Sequence, residues 1–388
     1  LGRDVPATLA ALREGRSAIG PLDIRDADRL SIRIGAQVRD HDEAALFTRA
    51  ELAMLDRFAQ FALLASREAV AASGLALEGE LALRSGVVLG NSGGGLGTVD
   101  DNYRAVYAEG RNRVHPFVVP RLMSNAAASH VGIAHGLRGP AFTVTSACAS
   151  SNHAMGLAFQ MVRSGAAPVM LTGGSEAMLC FGGIKAWEGL RVLSPTGCRP
   201  FCATRDGMVQ GEGAAVFVFE DWDRAAARGA DILAEVAGFA MTADAGDVVL
   251  PSADGAERAI RGALSDAGLA PEAIGYVNAH GTGTAANDRT ECAAIGGAFG
   301  AAAERLLVSS TKAMHGHLIG GAGAVELLAC LLALREGVVA PTVGWREADP
   351  DCPLDVVPNE ARQARVGACL SNAFAFGGLN AVLALRAA

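Results

Sequence analysis

Two stretches of this chain read as one unit written twice. "REAVAASGLALEGELALRSGVVLG" (67–90) is a helical pattern stopping at Gly74-Leu75, a short link, and an apolar strand. "RGALSDAGLAPEAIGYVNAHG" (261–281) repeats that order, with Gly268-Leu269 answering Gly74-Leu75. Further on, "LLACLLALREG" (327–337) is an apolar helix and "VGACLSNAFAFGG" (366–378) a strand running into a small-residue turn. Two echoes in the same order predict an internal duplication. The expected halves are 1–225 and 226–388, meeting within "DWDRAAARGA" (221–230).

Each half alternates strands with helices. "SGVVLG" (85–90), "AFTVTSAC" (141–148), "PVMLTGG" (168–174) and "GAAVFVFE" (213–220) are apolar runs of strand length. Helical patterns cover 53–73, 124–136 and 149–164. Unbroken apolar strands between helices predict an α/β chain with parallel or mixed sheets covered on both faces. The 48 glycines imply turns and close backbone contacts rather than disorder, because 51% of the residues are apolar. No apolar run reaches the roughly 18–20 residues that a membrane span needs. A net charge of −8 argues against nucleic acid as a partner, since phosphate neutralisation requires a basic face.

The eight cysteines are scattered, with no CxxC pair and no histidine cluster at zinc spacing. Neither a disulfide framework nor a metal site is expected, and a reducing cytoplasm without a signal peptide is the simplest setting. Of the 33 basic residues only Lys185 and Lys312 are lysines.

Three segments carry chemistry. Cys148 ends the strand "FTVTSAC" and precedes a helix opening on small residues. A thiol there meets the positive end of the helix dipole, which predicts a lowered pKa and a thiolate. Its neighbouring N–H groups can also receive a developing oxyanion. "YVNAHGTGTAAND" (276–288) is a strand ending at His280, followed by Thr282 and Thr284, which could bond an amide-bearing arm. "SSTKAMHGHLIGGAGAVELL" (309–328) supplies Lys312, His317 and Glu326. The result is a cysteine–histidine–histidine set drawn from both halves. The glycine run "NSGGGLG" (91–97) lacks GxGxxG spacing and a following lysine, so a nucleotide site is not indicated.

"TSACASS", "AHGTGTAAND", "SSTKAMHGHLIGGAGAVE" and "SNAFAFGGLNAVL", in that order, resemble the signatures of elongation-type β-ketoacyl-acyl-carrier-protein synthases of the thiolase superfamily. In "KAMHGH" and "NAFAFGGLN" the chain is most similar to the nodulation-type subgroup. The resemblance implies a thiolase-like fold of duplicated halves, with two mixed five-stranded sheets in an α-β-α-β-α layering. Family members begin with a strand ahead of the segment that starts here at Leu1, so a missing first strand is expected.

The implied activity is a decarboxylative Claisen condensation of an acyl group with malonyl-acyl-carrier protein in fatty acid elongation. A specialised lipid or polyketide pathway and an inactive chain-length-factor subunit are the alternatives. Cys148 would carry the acyl chain, and His280 and His317 would hold the malonyl thioester carbonyl. Lys312 and Glu326 would support them, and the acyl-oxyanion hole would be the N–H groups of Cys148 and Phe376. Phe376 and Gly377 match a mobile gate, in which Ala375 and Leu379 replace the usual glycine and threonine. Thr282 and Thr284 would bind phosphopantetheine, which arrives on the substrate, so no separate cofactor is implied. Gly93, Gly94 and Trp187 would line the acyl pocket, and the run of glycines predicts tolerance of long chains. Arg111, Arg113 and Arg191 would face an acidic acyl carrier protein, and a homodimer is the family's habit.

Overall fold

The computed structural model describes residues 1–388. The N-terminal sheet comprises β1 (Gly86–Gly90), β2 (Ala141–Val144), β3 (Val169–Glu176) and β4 (Gly213–Glu220). Around it lie α1 (Val5–Glu14), α2 (Arg57–Ser73), α3 (Leu96–Tyr107), α4 (Ala126–Ala134), α5 (Ser150–Arg163) and α6 (Phe181–Gly189). The C-terminal sheet comprises β5 (Glu235–Ala243), β6 (Tyr276–Asn278), β7 (Leu307–Ser309), β8 (Ala368–Ala375) and β9 (Leu379–Arg386). Its helices are α7 (Ala253–Ala267), α8 (Ala285–Phe299) and α9 (Ala322–Glu336).

The strand order β2-β1-β3-β4 is matched by β7-β6-β8-β9, with β5 added outside β9. In each sheet two parallel pairings are followed by an antiparallel one, β3 with β4 and β8 with β9. The repeated helix endings coincide as well. Gly74 and Gly268 both adopt the left-handed conformation that closes a helix, at φ 65° and 63°. The duplication read from sequence is therefore present in three dimensions.

Both sheets are mixed, but the N-terminal one has four strands, which corrects the expectation of five. Where β5 pairs with β9, the outer edge of β4 has no strand neighbour. That edge faces a cavity of about 1360 Å³ lined in part by Leu9, Phe61, Leu233 and Leu332. Two boundaries also moved. The strand expected over 141–148 stops at Val144, and the helix expected from 53 starts at Arg57. The reason for the second is Asp56, whose extended backbone and carboxylate cap the Phe58 N–H.

α9 is apolar on nearly every side apart from Glu326 and its last turn, so it must be covered almost all round. It lies with α5 between the two sheets, touching β3 on one side and β8 on the other. α2 and α4 cover the outer face of the first sheet, and α7 and α8 that of the second. The five layers α-β-α-β-α follow. Gly156 lets α5 approach closely, because a β-carbon there would sit 2.3 Å from the Phe239 ring on β5.

Candidate active site

The strand ends of the two sheets meet at the middle layer, and the reactive side chains lie there. After β2 the chain turns sharply through Ala147, which holds φ 48°, and enters α5 just beyond Cys148. Ser150 fixes this elbow: its hydroxyl accepts the Ser146 N–H at 2.9 Å and donates to the Ala147 carbonyl at 2.7 Å. The backbone N–H groups of Cys148 and Phe376 both address Sγ. Burial nevertheless pushes the Cys148 thiol up to about 12, outweighing Lys312 and those N–H groups. The expected thiolate is thus corrected to a neutral thiol, because desolvation of the anion exceeds the pull of the helix end.

His280 follows β6, and its loop is held by carboxylates on α8. Glu291 accepts the N–H groups of His280 and Gly281 at 2.8 and 2.7 Å, and Asp288 those of Thr282 and Gly283 at 3.0 and 3.2 Å. Lys312 Nζ donates to the His280 carbonyl at 2.5 Å, lies 3.3 Å from its Nδ1, and is paired with Glu326. The Ile319 N–H donates to Nδ1 of His317 at 3.0 Å. Both imidazoles thus accept at Nδ1, which leaves the proton on Nε2. His317 Nε2 is buried without a partner. The two rings cross edge to face with centroids 5.4 Å apart.

Burial, then the Lys312 ammonium, then a histidine neighbour hold both imidazoles well below 6.5. Glu326 is pushed above the usual carboxylate range by burial, with Lys312 opposing. The donor atoms of Cys148, His280 and His317 all lie within 4.8 Å of one another, a spacing that a metal ion could also exploit. The hydrogen bonds oppose that use, since a metal-bound histidine donates from its second nitrogen whereas these accept there. The arrangement offers one soft nucleophile, two N–H donors from imidazole and two from backbone, in a desolvated setting.

The remaining predicted residues divide. Phe376 belongs to the site through its N–H and stacks on Trp187. The Gly377 N–H is committed to the Val248 carbonyl at 2.7 Å, so this glycine anchors the loop rather than receiving an oxyanion. Thr282 and Thr284 share a hydroxyl–hydroxyl hydrogen bond of 2.8 Å beside His280. A β-carbon on Gly93 would meet the flexible Met178 side chain at 2.8 Å, next to the apolar wall around Cys148. On Gly94, at φ 57°, it would strike the Leu122 carbonyl at 2.5 Å. Gly94 therefore serves backbone packing and not an open pocket, and Met178 bulk stands where openness was expected.

Arg111, Arg113 and Arg191 are exposed. Arg111 is paired with Glu109 at 2.9 Å, while the other two form no ion pair. Sequence reasoning missed Asp288 and Glu291, although acids three apart on one helix face beside a histidine loop were a usable signal. It also missed Glu176, a lone acid closing an apolar strand.

Duplicated mixed sheets with a cysteine and two neutral imidazoles at their junction define a thiolase-like condensing acyltransferase. The comparisons narrow this. The β-ketoacyl synthase N-terminal domain matches residues 1–225 and the C-terminal domain residues 233–346. Nodulation protein E of Rhizobium sp. (strain N33) is 48% identical over 389 residues, spanning 100% of this chain and 96% of that protein. The 3-oxoacyl-[acyl-carrier-protein] synthase 2 of Synechocystis sp. is 40% identical over 383 residues, spanning 97% and 92%. The solved ishigamide ketosynthase/chain length factor is 36% identical with a TM-score of 0.94, covering 99% of this chain and 95% of that one. The chain belongs to the β-ketoacyl synthase family and is a ketosynthase.

Proposed function

We propose that Cys148 accepts an acyl group from a carrier-protein thioester and that His280 and His317 then bind the malonyl thioester carbonyl through Nε2–H. Loss of carbon dioxide leaves an enolate, whose carbon attacks the acyl-cysteine. The product is a 3-oxoacyl thioester on acyl carrier protein, and the Cys148 thiol is released. The tautomers carry this reading: two neutral N–H donors converge within 4.8 Å of the sulfur, where a developing enolate oxygen needs them. Removing one such donor costs on the order of 3 kcal/mol of barrier lowering. In the acyl-transfer half, the Cys148 and Phe376 N–H groups serve the other oxyanion.

Lys312 keeps the imidazoles neutral and is itself anchored by Glu326. Thr282 and Thr284, whose hydroxyls lie together beside His280, would receive the phosphopantetheine arm, and the substrate would then bring the only prosthetic group. Arg113 and Arg191, exposed and without ion pairs, would face an acidic carrier protein. We assign the chain to the cytoplasm, put the boundary of its halves at 225/226, and propose a homodimer. Two observations support the dimer. β2 is an unpaired edge strand, and Tyr107 and Ile133 on the same half are 83% and 77% exposed.

A second reading, a ketosynthase of a specialised pathway, draws support from the 48% identity to nodulation protein E against 40% to the synthase. An inactive subunit is disfavoured by the presence of Cys148 with both histidines. Mass spectrometry of Cys148 after incubation with a panel of acyl-carrier proteins tests the function. Labelling at another cysteine, or none with any acyl donor, would sink it. His317→Ala should block malonyl decarboxylation and leave acyl transfer largely intact.

A further inference from the structure

Glu176 closes β3, is fully buried, and takes no part in the steps above. Its carboxylate accepts the N–H groups of Ser92, Gly93 and Gly320 at 2.9, 3.1 and 3.0 Å, and Asn91 Nδ2 at 3.0 Å. Three of these donors come from the neighbouring glycine loop. Gly320 comes from the other half, three residues after His317. The Ser151 hydroxyl, three residues after Cys148, donates to the Gly320 carbonyl. Both polar groups of Gly320 are thus held by the N-terminal half. The fit is tight, since a β-carbon at 320 would lie 2.5 Å from the Ser92 nitrogen.

The residue before it, Ile319, holds φ 47°. A β-branched residue in the left-handed region costs about 1–3 kcal/mol and persists only where its surroundings over-determine it. Here they do, and the strained residue is the one whose N–H reaches His317 Nδ1. Freed of the Gly320 clamp, Ile319 would relax and swing that N–H away, and the ring would lose the bond that selects its tautomer.

We propose that Glu176 is a positioning residue for His317: with Ser151 it clamps Gly320 and so maintains the strained Ile319 turn that keeps His317 an Nε2–H donor. This rests on the reading of His317 as a donor to the malonyl thioester. Glu176→Gln keeps the shape but replaces one acceptor oxygen by a donor, leaving two N–H groups unpaired, because each oxygen accepts two: Asn91 and Gly93 on one, Ser92 and Gly320 on the other. The kcat for decarboxylating malonyl-acyl-carrier protein should fall about 10- to 100-fold, with KM within about twofold and Cys148 acylation within about threefold of wild type. Ser151→Ala should show the same split at about 3- to 10-fold. Glu176→Gln decarboxylating at the wild-type rate, or losing acylation and decarboxylation equally, overturns the proposal. If that variant does not fold, an unchanged kcat in Ser151→Ala overturns it instead. Wild-type enzyme unable to decarboxylate malonyl-acyl-carrier protein is a different result, which removes the functional reading and this inference with it.

Discussion

Trp187 lies stacked on Phe376, with ring centroids 6.0 Å apart and planes 22° from parallel. The first ring is on α6, among the apolar residues that pack near Cys148; the second is on the loop whose N–H faces the sulfur. In the acyl-enzyme proposed above, a chain entering along that wall would part them. Such a pair is worth about 0.5–1.5 kcal/mol beyond its area, enough to bias a gate without locking it.

Trp187→Ala should therefore favour long acyl chains over short ones in Cys148 acylation by about 3- to 10-fold relative to wild type, the rate equivalent of that energy. Trp222→Phe/Trp345→Phe enzyme leaves Trp187 as the sole tryptophan, and its emission should change when Cys148 is acylated. Unchanged emission with complete acylation by mass spectrometry would refute a parting of the rings.

Gly93 and Gly94 are adjacent yet should respond differently to alanine. Gly93→Ala presses on a flexible Met178 side chain, so the melting temperature should stay near wild type while the acyl cut-off moves to shorter chains. Gly94→Ala meets a backbone carbonyl at positive φ and should lose about 2–3 kcal/mol. Thermal melts and acyl-chain competition read the two effects separately.

The Lys312–Glu326 pair is fully buried. Removing one partner leaves a buried charge alone, so Lys312→Ala or Glu326→Ala should each cost about 3–5 kcal/mol in denaturant unfolding. Lys312→Met/Glu326→Leu should recover most of that stability. It should not recover decarboxylation, because His280 has lost the donor at its Nδ1 and carbonyl.

Both imidazoles are held well below 6.5, so decarboxylation should be flat between pH 8 and pH 6 on their account. Stability follows a definite sign. In the unfolded chain these histidines take up protons near 6.5 while the folded ones do not. Their contribution is full above about 6.5 and is lost as pH falls below it. Burial pushes Glu176 and Glu291 up to about 7, which acts with the opposite sign over this range, so the histidine share is read by difference. The unfolding midpoint of His280→Ala/His317→Ala enzyme should fall less than that of wild type from pH 7 to 5.5, and an equal change in both would contradict this.

What the sequence disclosed depends on how local the cause is. Cys148 and His280 lie among small residues just beyond β2 and β6, and His317 among the glycines ahead of α9, and that pattern is visible in one dimension. The glycine endings at 74 and 268 exposed the duplication for the same reason. The thiolate expectation failed because the dipole of α5 is a local quantity and burial is not. The three glycines at 93–95 are identical letters, and only the opposing side chain or carbonyl separates Gly93 from Gly94. Asp288, Glu291 and Glu176 act by collecting N–H groups from other loops, a role with no mark in the neighbouring sequence beyond an acid in an apolar setting. The fourth-strand limit of the first sheet is likewise a fact about pairing.

The protonated state of the buried Cys148 sulfur has a meaning between turnovers. Peroxides and alkylating agents react with thiolates, and each oxidation past the sulfenic stage is permanent or nearly so. An idle copy of this enzyme presents them with almost no anion. The same desolvation that works against its chemistry should therefore slow oxidation and alkylation of the resting nucleophile.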